Sequence, residues 1–323
     1  MAFIRRGALT ETVYAARPPA AILDAAKRRR VQGLHFRKLA GDDMMLRSRR
    51  SLILGTVLVS ATSFAIARAL AQQPPQQPAA QQPAAAEGGR PEKLLEDLVA
   101  ANRILVDQAV LDGYGHVSVR SPTNPDRFWM SRSLAPESIT TADIYEHDLD
   151  GNAKDLPKDA RLFLERFIHA GIYRARPDVK AVVHNHAPSL IPFGVTGVAL
   201  RPLYHMSAFL GSGVPVFDIH ATAGASDMLV KTPQLGQALA KTLGQNSVAL
   251  MRGHGAVVVG PDLPHAVFRS VYTEVNARLQ AQAMGLGGKV KFLDPEEARL
   301  AETSMAGTLS RPWELWRKKA MSR

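Results

Sequence analysis

The sequence predicts an α/β sandwich on a mixed sheet, and three observations lead there. A hydrophobic share of 46% over 323 residues, with no internal period, is ample for one large domain with a real core. Short runs of β-branched and aromatic residues come as adjacent pairs, as hairpins do. Other such runs alternate with segments of helical periodicity. A doubly wound parallel sheet would show the alternation without the pairs.

The elements follow in order. Leu94, Leu95, Leu98, Val99, Ile104, Leu105, Ala109 and Val110 recur at helical spacing, giving one amphipathic helix or two over 92–112, ended by Asp112-Gly113. HVSVR (116–120) alternates and reads as a strand. RFWMS (127–131) follows a Ser-Pro-Thr-Asn-Pro turn, so the two form a hairpin. DIYEHDLD (143–150) is a third strand before the Gly151-Asn152 turn. ARLFLERFIHAGIYRA (160–175) reads as a helix stopped by Arg176-Pro177-Asp178, and KAVVH (180–184) as a short buried strand. LRPLYH (200–205) and VPVFDI (214–219) read as strands, then a helix over 225–242, then strands in NSVALMRG (246–253) and AVVVG (256–260). Residues 263–285 are helical, with Pro264 in the first turn.

The N-terminal part reads as an address. Residues 47–73 contain a basic region with Arg49-Arg50, an apolar run from Ser51 to Ala67, and Ala69-Leu70-Ala71, a small-x-small cleavage pattern. Paired arginines after Ser48 and before Leu52 resemble a twin-arginine signal. Residues 44–71 are therefore expected to be a signal peptide that sends the protein to the periplasm or outside the cell. An uncleaved anchor in the inner membrane is the alternative, and cleavage leaves no stable membrane span. Residues 1–43 read as an over-extended start, with Met44 or Met45 as the true one. Residues 72–90 are a Gln/Pro/Ala linker unable to bury a core, and the folded domain is 91–323.

The net charge of +11 is mostly local. Residues 1–50 hold twelve Lys/Arg against four Asp/Glu, and their basic runs lack interleaved aromatics. Nucleic-acid binding by the folded part is thereby excluded. The absence of cysteine excludes disulfides and thiolate metal ligands. No Gly-x-Gly-x-x-Gly follows a strand, so no nucleotide or flavin site is expected.

The candidate chemistry lies in AVVHNHAPS (181–189). In a strand, residues two apart share a face, so His184 and His186 can chelate one divalent cation while Asn185 faces away. The third candidate ligand is His254, between Gly253 and Gly255 at a turn between two strands. Glu165 sits among Leu162, Phe163, Leu164, Phe167 and Ile168 as a proton-transfer group or a fourth ligand. His169, one helical turn on, is its partner or an ordinary buried histidine. The tail SRPWELWRKKAMSR, with Trp313 and Trp316, is expected to pack on a neighbouring subunit, fray, or lie on a membrane surface.

Together these residues resemble the class II aldolase/adducin family. Glu165, the HNH nineteen residues later, the Gly-His-Gly after a later strand, and GHVSVR (115–120) in place of a Gly-Asn-x-Ser-x-Arg strand carry the likeness. The resemblance implies a three-layer α/β/α sandwich with a mixed, largely antiparallel sheet. It implies a homotetramer, with one divalent metal ion (zinc, manganese or iron) on His184, His186 and His254. Glu165 falls at the catalytic acid/base carboxylate. It also implies a lyase that works through a metal-stabilised enolate.

Two departures bear on the substrate. The family's phosphate-binding Asn, Thr-Pro-x-Gly loop and Ser-Ser pair are replaced here by His116, SRSLAP (131–136) and Phe163-Leu164. These segments are similar to the branch holding a hydroxy-methylpyridine-dicarboxylate decarboxylase, which implies a non-phosphorylated aromatic or 2-oxo acid as the small-molecule substrate. Arg120, Ser131, Arg132 and His116 are then its candidate contacts. The alternatives are a catalytically silent adducin-like binding domain and a sugar-phosphate aldolase or epimerase.

Overall fold

The structure is a computed structural model, and the described residues are 89–322. The upstream segment, the signal and nearly all of the linker lie outside them. The elements are α1 (Glu92–Asp107), β1 (His116–Arg120), β2 (Arg127–Ser131), β3 (Ile144–Asp148), α2 (Arg166–Ala175), β4 (Ala181–Asn185), α3 (Ile191–Thr196), β5 (Val216–Phe217), α4 (Ile219–Ala223), α5 (Pro233–Leu243), β6 (Val248–Met251), β7 (Gly255–Gly260), α6 (Leu263–Gly285), α7 (Pro295–Ala306) and α8 (Ser310–Met321).

The strands form one seven-stranded sheet in the order β3-β2-β1-β4-β7-β6-β5. Every pairing is antiparallel except β5 with β6, which is parallel. Helices cover both faces, so this is the expected sandwich on a mixed, largely antiparallel sheet. Strand β4 shows why its sequence is apolar without alternation. Ala181 and Val183 face the core under α1 and α6, while Val182 faces the core under α2 and α5. A strand covered on both faces buries every residue.

Five expectations are corrected. The helix over 160–175 begins only at Arg166. Residues before it run past the end of β2, where Ser133 N–H donates to the Arg161 carbonyl. Arg166 itself ties down the turn, donating to the Gly151 and Phe163 carbonyls at 2.7 and 3.0 Å. Glu165 therefore sits at the helix entrance.

The segment 200–205 is not a strand. Asn276 and Gln280 of α6 do the work of a neighbouring strand: they accept from the Leu203 and Arg201 N–H groups and donate to the Arg201 and Ala199 carbonyls. Side chains thus satisfy the backbone that a ladder would have satisfied. Of VPVFDI only Val216–Phe217 pairs, because Asp218 already caps α4 through the His220 N–H.

The helix over 225–242 begins at Pro233. Thr232 is extended, caps the Leu235 N–H and precedes a proline that disfavours helix before it. The C-terminal tail is helix α8, and it packs on its own chain. Trp313 and Trp316 lie against the α1–α6 core, and Arg317 pairs with Asp97 at 2.7 Å. No helix among the described residues is long and apolar enough to cross a membrane.

Candidate metal centre

The site forms where β4 ends. Register pairs His184 with His116 of β1 on one side and with Val257 of β7 on the other. His184 is fully buried, and His186 follows just past the strand end. His254 lies in the tight β6–β7 turn, which Gly253 permits by its φ of +65°. At Gly255 a Cβ would overlap the Asn185 carbonyl oxygen, so only glycine lets β7 start this close to the β4 end. That close approach carries His254 over His186.

The geometry is convergent. His186 Nε2 lies 3.0 Å from His184 Nε2 and 3.1 Å from His254 Nε2. Glu165 Oε2 lies 3.4 Å from each of His184 Nε2 and His254 Nε2. One ligand atom from each of the four residues falls within 4.8 Å of all the others.

Hydrogen bonds at the ring backs decide what these atoms offer. His184 Nδ1 is 3.1 Å from the Ala256 carbonyl, and His254 Nδ1 is 3.0 Å from the Met228 carbonyl. A carbonyl only accepts, so each Nδ1 carries a proton, and a cation bound by either ring would be held by the inward-facing Nε2. Three imidazole nitrogens and one carboxylate oxygen gathered this tightly are a ready set of donors for a cation placed among them. The donor set is nitrogen and oxygen, as zinc, manganese and iron accept. The residues fit a divalent metal.

The carboxylate is locked. Glu165 Oε1 accepts from the Val230 N–H at 2.9 Å. Burial pushes its carboxyl up, while a proton carried toward Oε2 on the facing His184 and His254 rings outweighs burial and pulls it well below the usual range, as a cation among the same atoms would. The His186 ring is lowered to about 4, by burial and then by His184 and His254.

The other predicted residues fall in different places. His116 is buried beside the cluster, its ring centroid 5.1 Å from that of His184 and 4.5 Å from that of Phe163. Burial first, then His169 and His184, hold it below the ordinary imidazole range. Arg120 is at the far end of β1, about 13 Å along the strand. Its guanidinium donates to the Val179, Tyr173, Arg176 and Pro125 carbonyls and stacks on the Tyr173 ring. Its donors are spent on backbone, so the expected substrate contact gives way to a structural clamp. Ser131 is at the site end of β2, but it shares the Trp129 face, which packs under α1. Arg132 continues the register across from His116 and is paired with Asp143 at 2.8 Å.

Sequence reasoning missed the loop before α5. Met228, at φ +68°, presents its carbonyl to His254, and Val230 presents its N–H to Glu165. Backbone partners carry no side-chain signature; the one available signal was Thr232-Pro233, which ends the loop.

Comparison with known proteins gives the family. Residues 96–281 match the family Class II Aldolase and Adducin N-terminal domain. The decarboxylase tropJ of Talaromyces stipitatus is 37% identical over 240 residues, covering 68% of this chain and 90% of that protein. The 3,4-dihydroxyphthalate decarboxylase of Arthrobacter keyseri is 28% identical, over 68% of this chain and 90% of that one. The L-fuculose 1-phosphate aldolase of Glaciozyma antarctica shares the fold, with a TM-score of 0.59 at 23% identity over 73% of this chain and 94% of that chain. The chain therefore belongs to the class II aldolase and adducin N-terminal domain family and is one of its lyases.

Proposed function

We propose that this lyase is a decarboxylase of a non-phosphorylated aromatic acid carrying a hydroxyl next to the carboxylate. The convergence of Glu165, His184, His186 and His254 within 4.8 Å carries the reading. A silent binding domain has no use for four converging donors, two of them histidines whose ring backs are pinned. Named decarboxylases among the relatives support loss of carbon dioxide over aldol cleavage. So does the wall of the site: Phe163, at one of the places where the resemblance to the sugar-phosphate aldolases implies a serine, packs on the His116 ring.

A divalent cation bound there would supply an electrophile for the negative charge left on carbon as carbon dioxide departs. The chain's own residues prepare for this. The Ala256 and Met228 carbonyls fix which nitrogen of His184 and His254 faces inward. Glu165 supplies the one negative charge of the set, with Oε1 held by Val230 and Oε2 facing the cluster. Oε2 is the atom at which this residue would take or return a proton. Phe163 and the buried His116 close one side to water.

The test is carbon dioxide release from a panel of ortho-hydroxy aromatic acids, their deoxy analogues and L-fuculose 1-phosphate, with the metal supplied and then chelated. Chelator-sensitive release from the hydroxylated acids alone is expected. Aldol cleavage of the sugar phosphate, or no turnover of any acid, would overturn the reading.

A further inference from the structure

Behind the metal centre runs a line of hydrogen-bonded side chains that the reaction as described does not use. His116 Nδ1 lies 2.7 Å from His169 Nε2. His169 Nδ1 lies 2.6 Å from Ser118 Oγ, and Ser118 Oγ lies 2.8 Å from the Tyr173 hydroxyl. His169, Ser118 and Tyr173 are at most 1% exposed, and His116 is 4% exposed. His116 and Ser118 share a face of β1, and His169 and Tyr173 lie one turn apart on α2. The chain thus staples strand to helix, with one end at the metal histidines and the other under Arg120, whose guanidinium lies 4.6 Å from the Tyr173 ring centroid.

The chain has a direction. Each link needs one proton, and the phenol sets the first. Burial keeps Tyr173 protonated well above the ordinary phenol range, and Ser118 is the side chain within its reach. Tyr173 therefore donates to Ser118 Oγ. Ser118 then spends its own hydrogen on His169 Nδ1. A neutral imidazole with one nitrogen accepting carries its proton on the other, so His169 donates from Nε2 to His116 Nδ1. By the same rule His116 carries its proton on Nε2. That atom is on the ring edge away from His169 and has no hydrogen bond to a described residue.

We infer that Tyr173, Ser118 and His169 are positioning residues that lock His116 as its Nε2–H tautomer, making it a fixed neutral donor for an anionic oxygen of the substrate. This rests on the proposed acid substrate for its partner, but not for the tautomer. A neutral donor discriminates by geometry: it favours an oxygen that bears charge and offers nothing to an apolar substituent. It also costs no buried positive charge next to the metal.

Two measurements on the full chain loaded with zinc test this. The first is NMR of isotope-labelled histidine rings, which reads where each proton sits. His116 is expected as Nε2–H, with that preference lost in Tyr173→Phe and in Ser118→Ala. His116 protonated on Nδ1 in the unaltered protein would overturn the inference, whatever the enzyme turns over. The second is binding of salicylate, an unreactive probe. His116→Gln, which keeps an N–H, should bind within about threefold of the unaltered protein, and His116→Leu about tenfold or more weaker. Equal binding by His116→Leu would overturn the donor role with the decarboxylase reading intact. No salicylate binding and no carbon dioxide release, beside a His116 locked as Nε2–H, would overturn the acid substrate and leave the tautomer standing.

Discussion

Glu165 is the residue on which the donor set turns, because it alone brings charge. Glu165→Gln keeps its shape and its bond to Val230 but removes that charge. Turnover should fall at least about 100-fold even with metal in excess; a rate within about twofold of the unaltered protein would contradict the role. A second residue-scale prediction concerns His147, which is fully buried, stacked on Phe128 and without a partner for Nε2 among the described residues. Burial lowers it from the ordinary 6.5 to about 4. Between those values the unfolded chain binds the extra proton, so stability from this group is whole above 6.5 and is lost as pH falls toward 4. The loss between about pH 7.5 and pH 5 is about 2 kcal/mol. Urea midpoints should fall less over that interval in His147→Leu; an equal fall in both proteins would count against the account. At this scale the sequence was most legible where spacing is itself chemistry. A His-x-His pair at a strand end and a histidine between two glycines could be read directly. Arg120 could not, because four backbone carbonyls claimed it and nothing local announces them.

Among elements, the α2–α5 crossing is the most demanding contact near the site. A Cβ on Gly171 would come within 2.5 Å of the Gly236 carbonyl carbon, and one on Gly236 would overlap the Phe167 carbonyl oxygen. The helix that begins beside Glu165 is therefore seated by two glycines. Gly236→Ala should cost about 1–3 kcal/mol and lower the thermal midpoint, with activity lost before the fold. An unchanged midpoint would mean that the helices separate freely there. Strands with β-branched residues on both faces, such as β4 and β7, were legible because burial leaves a continuous apolar run. The 200–205 segment misled for the opposite reason: its backbone is satisfied by Asn276 and Gln280, some seventy residues on, and no local pattern reports that. The start of α2 was misread because the apolar residues of 162–164 continue the helical period while Arg166 fixes the turn.

The whole molecule combines a lyase domain with an N-terminal segment that reads as an export signal. Export is expected to remove residues through Ala71. N-terminal sequencing of protein from the periplasm should begin just after it; a chain retaining Arg49-Arg50 in the membrane fraction would favour the anchor. The C-terminal helix, expected to seek a partner or a membrane, instead completes the core through Trp313 and Trp316, because its tryptophans sit at the spacing of a helix face laid on α1. The proposed chemistry stands on one metal ion held by Glu165, His184, His186 and His254. Elemental analysis of the purified chain, beside a His184→Ala/His186→Ala variant, is the measurement to make first. About one equivalent of manganese, zinc or iron per chain is expected, absent from the variant; metal in equal amount in both, or in neither after divalent metal is offered, would contradict the site.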